Sequence, residues 1–281
     1  YEVSDPSLLD GTALVVINSV FCQYDRDLGF RIVPPGEGGW VAQAGEFKQR
    51  NSQGGFRYDL ESYAEHIRNM LTIYRRDFAA GYAYIEQQLA QQWGLPPRGL
   101  THAIHAAIAC HDLAKMDKRW QRWVRLYQQA IGKPIHEPAY MAVHTHWSPV
   151  VPQHKAAKRE ADRQCKRPPH AGESAVAGAR LIAEFCGNDS LTRAVLTAIT
   201  RHHSAQANSF REYELHPAAA QAMLEALAFT DFVQPRGQLL MQAPAIQLEQ
   251  YLIEGKNFRE ILLYFLVVRV LRLCDGLSQE E

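Results

Sequence analysis

From Tyr58 onward the apolar residues recur with the 3.6-residue period of amphipathic helices. That pattern predicts helices over residues 58–93, 100–130, 173–186, 191–203, 217–229 and 258–277. Capping chemistry supports these bounds: Asn188-Asp189-Ser190 precedes one stretch, and Gly94, Gly132 and Gly187 follow others. Between 133 and 169 the periodicity lapses into six prolines among His and Lys, which predicts a long loop, a feature that is usually functional or mobile. Residues 1–57 read differently. Two short β-rich runs, 13–22 and 28–33, flank a turn at Tyr24-Asp25-Arg26-Asp27, and the Gly-rich stretch 49–55 follows. The expectation is an all-α bundle over 58–281, preceded by a small β-containing appendage or linker over 1–57.

Composition narrows the classes. Thirty basic and thirty acidic residues give zero formal net charge, so nucleic-acid binding has to rest on local patches. The five cysteines are scattered and show no metal-type pairing, which points to a reducing, cytoplasmic setting; Cys110 and Cys274 read as small buried fillers. The longest uncharged apolar run, 261–268, is far shorter than the roughly 20 residues of a membrane span. No signal-peptide pattern opens the chain, and a start at Tyr1 suggests a piece of something longer. Twelve histidines are many, and they redirect attention to metal chemistry.

Their positions matter more than their number. Leu100, Ile104, Ala107 and His111 follow one another at helical spacing, so His111 continues a core-facing stripe; Asp112 is adjacent and Lys115 lies one turn on. Leu191, Val195, Ala198 and His202 repeat the arrangement, with His203 beside the last. Tyr264, Val268, Leu271 and Asp275 repeat it again, His170, Ser174, Ala177 and Leu181 begin another stretch, and His66 flanks Leu60, Tyr63, Ile67 and Met70. Imidazoles and ionised carboxylates at the ends of buried stripes are costly to desolvate unless paired or bound to a cation. Imidazole with carboxylate suits transition metals rather than calcium. Two such ions can clamp both oxygens of an in-line phosphoryl displacement, with Lys115 placed to neutralise developing charge.

The ordered set His66, His111-Asp112, His170, His202-His203 and Asp275 resembles the HD superfamily of metal-dependent phosphohydrolases. Tyr-Ala-Glu-His66-Ile, His111-Asp-Leu-Ala-Lys115, His170-Ala-Gly-Glu-Ser174 and Leu-Cys-Asp275-Gly-Leu-Ser are similar to one branch, the HD nuclease domain of the type I CRISPR-associated helicase–nuclease. The resemblance covers about 58–278, with Ala114 where Gly is frequent. It implies an HD helical bundle and one or two divalent ions (Mn, Fe, Co, Ni or Mg). His66, His111, Asp112 and Asp275 would hold one ion, and Asp112, His170, His202 and His203 the second. The implied activity is cleavage of single-stranded DNA in CRISPR interference, by attack of metal-activated water on the phosphodiester. The implied partners are a surveillance complex and a helicase region in the same longer chain or another, with no membrane; residues 1–57 would then be the tail of that helicase. Asp112 and Lys115 are the expected catalytic residues.

Other residues are open to two readings. His144, His146 and His154 compete with His170 for the third motif. Ser174 either hydrogen-bonds a ligand or a metal-bound water, or permits close helix packing. Lys155, Lys158, Arg159, Arg163, Lys166 and Arg167 run into His170 and either track a phosphate backbone or form a solvated loop. Trp120 and Trp123 offer stacking surfaces or packing. His102 and His105 read as surface groups or supports of the ligands, and His136 and His216 as structural. Two other functions fit the same ligands: hydrolysis of a nucleotide (a deoxynucleoside triphosphate or a cyclic nucleotide), which needs a closed pocket, and a non-catalytic metal-binding docking module.

Overall fold

A computed structural model describes residues 22–25, 29–32, 34, 57–204, 206–232, 237–253 and 257–279. The chain divides into two units, Tyr1–Ser52 and Gln53–Glu281. In the first unit β1 (Cys22–Asp25) pairs antiparallel with β2 (Gly29–Ile32), Cys22 opposite Ile32 and Asp25 opposite Gly29. Tyr24 and Asp25, expected in the turn, belong to β1. The remainder of the 13–22 run and the Gly-rich stretch lie outside the described residues.

The second unit is the expected helical bundle. Its first helix does not run unbroken from 58 to 93. Tyr58 instead bridges to Trp147, and β3 (Glu61–Ser62) pairs with β4 (Ala142–His144) before α1 (Tyr63–Ile73) begins. A capping box starts α1: the Ser62 side chain accepts from the Glu65 backbone N–H, and Glu65 returns the bond to Ser62. One π-helical turn, Tyr74–Phe78, joins α1 to α2 (Ala79–Trp93), which closes on left-handed Gly94.

The predicted helix 100–130 is also interrupted. α3 (Gly99–Cys110) is buried along nearly its whole length, a tight 3-10 turn spans Leu113–Met116, and α4 (Lys118–Ala130) starts afresh at Asp117, whose side chain accepts from Arg119 N–H and Trp120 N–H. The break falls at His111-Asp112, so these residues sit at a helix end rather than along a helix. The stretch 133–169 is not one loop. It contains β4 and α5 (Pro152–Gln164), where Pro152 occupies the first helical turn, the position in which its missing N–H costs nothing. Only Ala157 and Ala161 of α5 are buried, a stripe too slight to register as periodicity.

α6 (Ala171–Cys186), α7 (Asp189–Arg201), α8 (Ala219–Leu227) and α9 (Phe258–Leu277) complete the bundle near their predicted bounds. Two short ribbons separate α7 from α9: β5 (Ser209–Phe210) with β8 (Ile246–Gln247), and β6 (Tyr213–Glu214) with β7 (Gln242–Ala243). α7 is central, packed on α3, α6 and α9. A large apolar cluster spans α1, α3, α6, α7, α8 and α9, and includes Cys110, Cys186 and Cys274 as buried free thiols. A smaller cluster of Trp120, Trp123, Val124, Tyr127, Ala142, Ala157 and Ala161 ties α4 to β4 and α5. Among the described residues no helix is long and apolar enough to cross a membrane.

Candidate metal centre

Five helix ends deliver polar side chains to one place. His66 comes from α1, His111 and Asp112 from the end of α3, His170 from the start of α6, His202 and His203 from the end of α7, and Asp275 from the last turn of α9. Asp112 is their hub. Its Oδ2 lies 3.7 Å from His66 Nε2, 3.3 Å from His111 Nε2 and 2.7 Å from Lys115 Nζ, while Oδ1 lies 3.3 Å from His170 Nε2. Asp275 Oδ1 lies 3.4 Å from His66 Nε2 and 4.0 Å from His111 Nε2. On the other side His203 Nε2 and His170 Nε2 are 2.9 Å apart, and the His202 ring packs on both.

Ring orientation is set from outside. His111 Nδ1–H donates to Ile108 O at 2.9 Å and His202 Nδ1–H to Ile199 O at 2.5 Å, each to the carbonyl three residues back on its own helix. The opposite nitrogens are left facing the cluster. His66 Nε2, His111 Nε2 and His202 Nε2 are all buried without a hydrogen-bond partner, and the Asp112 oxygens have only the ion-pair contacts above. Orphaned buried polar atoms of this kind are rare in folded proteins. Here they converge, and the chemistry they fit is that of a divalent cation with nitrogen and oxygen ligands. His66–His111–Asp112 and His170–His202–His203 each place their donor atoms within 4.8 Å of one another.

Protonation states agree. Burial lowers His170 and His202 to about 4, and partial desolvation with the adjacent His202 does the same for the more exposed His203, leaving them as the neutral imidazoles that bind metals. Burial opposes ionisation of Asp112, but His111 and Lys115 hold it well below the usual carboxylate range; His66 and His111 do the same for Asp275. His66 is the exception. Burial disfavours its charge, yet Asp275 and Glu61, one at each nitrogen, raise it to about 9.

The residues with two readings in the sequence now have places. His144 sits not beside Asp112 but on Glu61, His146 faces Asp59, and His154 Nδ1 accepts from Ser148 N–H. None takes the position of His170. Ser174 Oγ accepts from Ala114 N–H at 2.9 Å, which pins the turn carrying Asp112 and Lys115 onto α6. Lys115 is buried; one Nζ contact is Asp112, and the Trp120 ring lies 5.7 Å away. His105, expected at the surface or as a support of the ligands, is buried away from the cluster against Tyr74 and Phe232 because the α3 face that carries it is also covered.

A cavity of about 540 Å³ opens on the cluster and is lined by His170, His202, His203, Asp275 and Lys115, with Trp120, Trp123, Trp147, Lys158, Arg167 and Arg272. Of the six basic candidates between 155 and 167, only Lys158 and Arg167 reach this wall. Lys155, Arg159, Arg163 and Lys166 do not line it, and Arg163 pairs with Glu160 at 3.2 Å. Arg167 lies over the rings of Trp120 and Trp123, at 5.0 and 5.1 Å. Arg272, Trp147, Tyr58 and Glu61 escaped sequence reasoning. The first looks like any solvated charge on a helix, and the others arrive through strand pairing that no local period reports.

The family model described as "Cas3, HD domain" matches residues 61–255, more than half of the chain. The chain belongs to the Cas3 HD-domain family. Membership makes it an HD-type metal-dependent nuclease or phosphohydrolase of the CRISPR-associated class. The match includes His66, His111, Asp112, His170, His202 and His203, whereas Asp275 lies beyond it and joins the Cas3-type cluster through the fold alone. Neither the curated proteins nor the solved structures contain a match to the chain.

Proposed function

We propose that this Cas3-family HD domain cleaves single-stranded DNA during type I CRISPR interference. It would act in the cytoplasm on strand supplied by a helicase region, in the same longer chain or a separate one, at a target marked by a surveillance complex. The observation that carries the reading is the shape and lining of the cleft. The basic, aromatic cavity at the cluster shares Tyr58, His144, Trp147 and Gln279 as walls with a second cavity of about 760 Å³. A nucleotide hydrolase needs a closed pocket that reads base and sugar. The cavity at the cluster, lined by Lys115, Lys158, Arg167, Arg272 and three tryptophans, instead suits a strand whose phosphates are met by Lys158, Arg167 and Arg272, and it continues into a neighbour of mixed charge, where Arg57, Arg68 and Lys133 stand beside Asp59, Glu61 and Glu65.

In this reading His66, His111, Asp112 and Asp275 would hold one divalent ion, and Asp112, His170, His202 and His203 would hold the second. Mn, Fe, Co, Ni or Mg at these positions supplies Lewis acidity at the phosphoryl oxygen and lowers the pKa of water. The residues present provide the rest. Asp112 arrives ionised and aligned by Lys115, and Lys115, whose side chain lines the cavity, sets a fixed positive charge where a phosphoryl oxygen would lie. Ser174 keeps this turn in register with α6.

The test is cleavage of circular and linear single-stranded DNA by metal-stripped protein supplied in turn with Mn, Co, Ni, Fe or Mg. Cleavage that returns with metal and is absent from Asp112→Ala is the expected result. Hydrolysis of deoxynucleoside triphosphates or cyclic nucleotides, with both DNA forms intact, would overturn it.

A further inference from the structure

Glu61 is tied to the metal centre without being one of the seven proposed ligands. It lies in β3, just ahead of α1, and opposite His144 in β4. Its Oε2 accepts from His66 Nδ1–H at 3.0 Å and from His144 Nδ1–H at 2.9 Å, and its Oε1 accepts from Asn69 Nδ2 at 2.8 Å. The His144 ring stands edge-on to that of His66, with centroids 4.7 Å apart. One carboxylate thus fastens the first turn of α1, the strand β4 and the ring of His66 together.

The other ligand rings are held differently. Three imidazoles present a buried, unpartnered Nε2 to the centre: His66, His111 and His202. His111 and His202 are oriented by carbonyls of their own helices, which no substitution removes. His66 Nδ1 is held instead by a side chain. A carboxylate accepting from Nδ1–H fixes which nitrogen keeps the lone pair, fixes the ring plane and makes the ligand more basic.

We propose that Glu61 is a positioning residue for the metal centre. It locks His66 with Nε2 facing Asp112 and Asp275, braces it through His144, and so preorganises the His66–His111–Asp112–Asp275 half for its cation. The inference rests on the reading of His66 as a metal ligand. It excludes Glu61 itself from the ligand set, although Glu61, His66 and His144 also bring donor atoms within 4.8 Å of one another.

The experiment is titration of the metal-free full chain with Co²⁺, followed by its d–d absorption, for the wild type, Glu61→Ala, Glu61→Gln and His66→Ala. Glu61→Ala is expected to weaken Co²⁺ binding by roughly 10–100-fold with stoichiometry unchanged. Glu61→Gln retains an amide oxygen that accepts from Nδ1–H, and is expected to recover part of that loss. In the Zn²⁺-loaded protein, ¹⁵N correlation of the imidazoles should show His66 bound through Nε2 with its proton on Nδ1 in the wild type, and a mixture of Nε2-bound and Nδ1-bound or unbound rings in Glu61→Ala, a change that a purely structural residue would not cause. Unchanged affinity and tautomer in both Glu61 variants, with His66→Ala defective, would overturn this inference alone. A lost equivalent of Co²⁺ in Glu61→Ala would also overturn it, by making Glu61 a ligand. Wild-type binding in His66→Ala, or no binding by the wild type, would overturn the metal reading beneath it.

Discussion

Replacing Asp112 with Asn keeps the shape of the hub and removes its charge, and the structure sets two separate consequences. The first is independent of metal. Lys115 Nζ lies 2.7 Å from Asp112 Oδ2, with side-chain exposures of 10% and 1%. Removing one member of a buried pair typically costs about 3–5 kcal/mol, because the other charge is left without its partner. The residual exposure of Lys115 places this pair near about 3 kcal/mol, which is roughly 6–12 °C in Tm at the two to four degrees per kcal/mol usual for larger domains. Asp112→Asn combined with Lys115→Met removes both charges and is expected to restore most of the loss, since replacing a whole buried pair is often close to neutral. The second consequence depends on metal. A ligand present at about 100 times its Kd stabilises the folded state by about 2.7 kcal/mol. Mn²⁺ at that level therefore raises the wild-type Tm by roughly 5–10 °C, an increment that both Asp112 variants lose. Thermal unfolding followed by circular dichroism, once in EDTA and once in Mn²⁺, reads both effects. A double variant no more stable than Asp112→Asn refutes the pair argument, and a full Mn²⁺ increment in Asp112→Asn refutes the assignment of the hub.

Three further outcomes follow from the same geometry. His66 must lose its proton to bind metal, and its pKa is raised to about 9, so affinity at its half of the centre should climb about tenfold per pH unit until about pH 9, with one proton released per ion, measurable by calorimetry in buffers of different ionisation enthalpy. The stability of the metal-free protein should peak near pH 6.5: His144, His170 and His202, lowered by burial to about 4, cost up to about 1.4 kcal/mol each per pH unit as the pH falls from 6.5, while the stabilisation from protonated His66 is lost as pH rises through about 9. Urea midpoints at pH 5, 6.5 and 9.5 check both limbs. Arg272→Ala should weaken binding of single-stranded DNA and reduce the salt dependence of log K by about 0.7, the share of one phosphate contact, in fluorescence anisotropy across a salt series.

Much of the centre was legible in the sequence for a physical reason. His111, His202 and Asp275 each continue an apolar stripe at helical spacing, so the period that predicts the core also predicts what points into it. The same logic brought His66 and His170 to the site. It could not locate the break after His111, because a 3-10 turn preserves composition while changing direction, and that break lets Asp112 meet His66, His111, His170 and Lys115 at once. Glu61 and His144, 83 residues apart, meet through a two-residue strand pairing that leaves no periodic trace. α5 was missed because its buried face consists of Ala157 and Ala161, and the prolines of 133–169 read as breakers although Pro152 opens the helix. Gly178 looked unremarkable as well. A Cβ there would lie 2.9 Å from Leu113 Cδ1 and 3.1 Å from Cys110 Sγ, so its absence lets α6 approach the turn that carries Asp112.

The central claim is that Asp112 is the shared anchor of a metal centre framed by His66, His111 and Asp275 on one side and His170, His202 and His203 on the other. Anomalous diffraction from crystals soaked in Mn²⁺ tests it most directly. A peak bound by Asp112 and the His66 group is expected, and a second, where present, between Asp112 and the His170 group. Mn²⁺ seated away from Asp112, or on Glu61 and His144 instead, would contradict it.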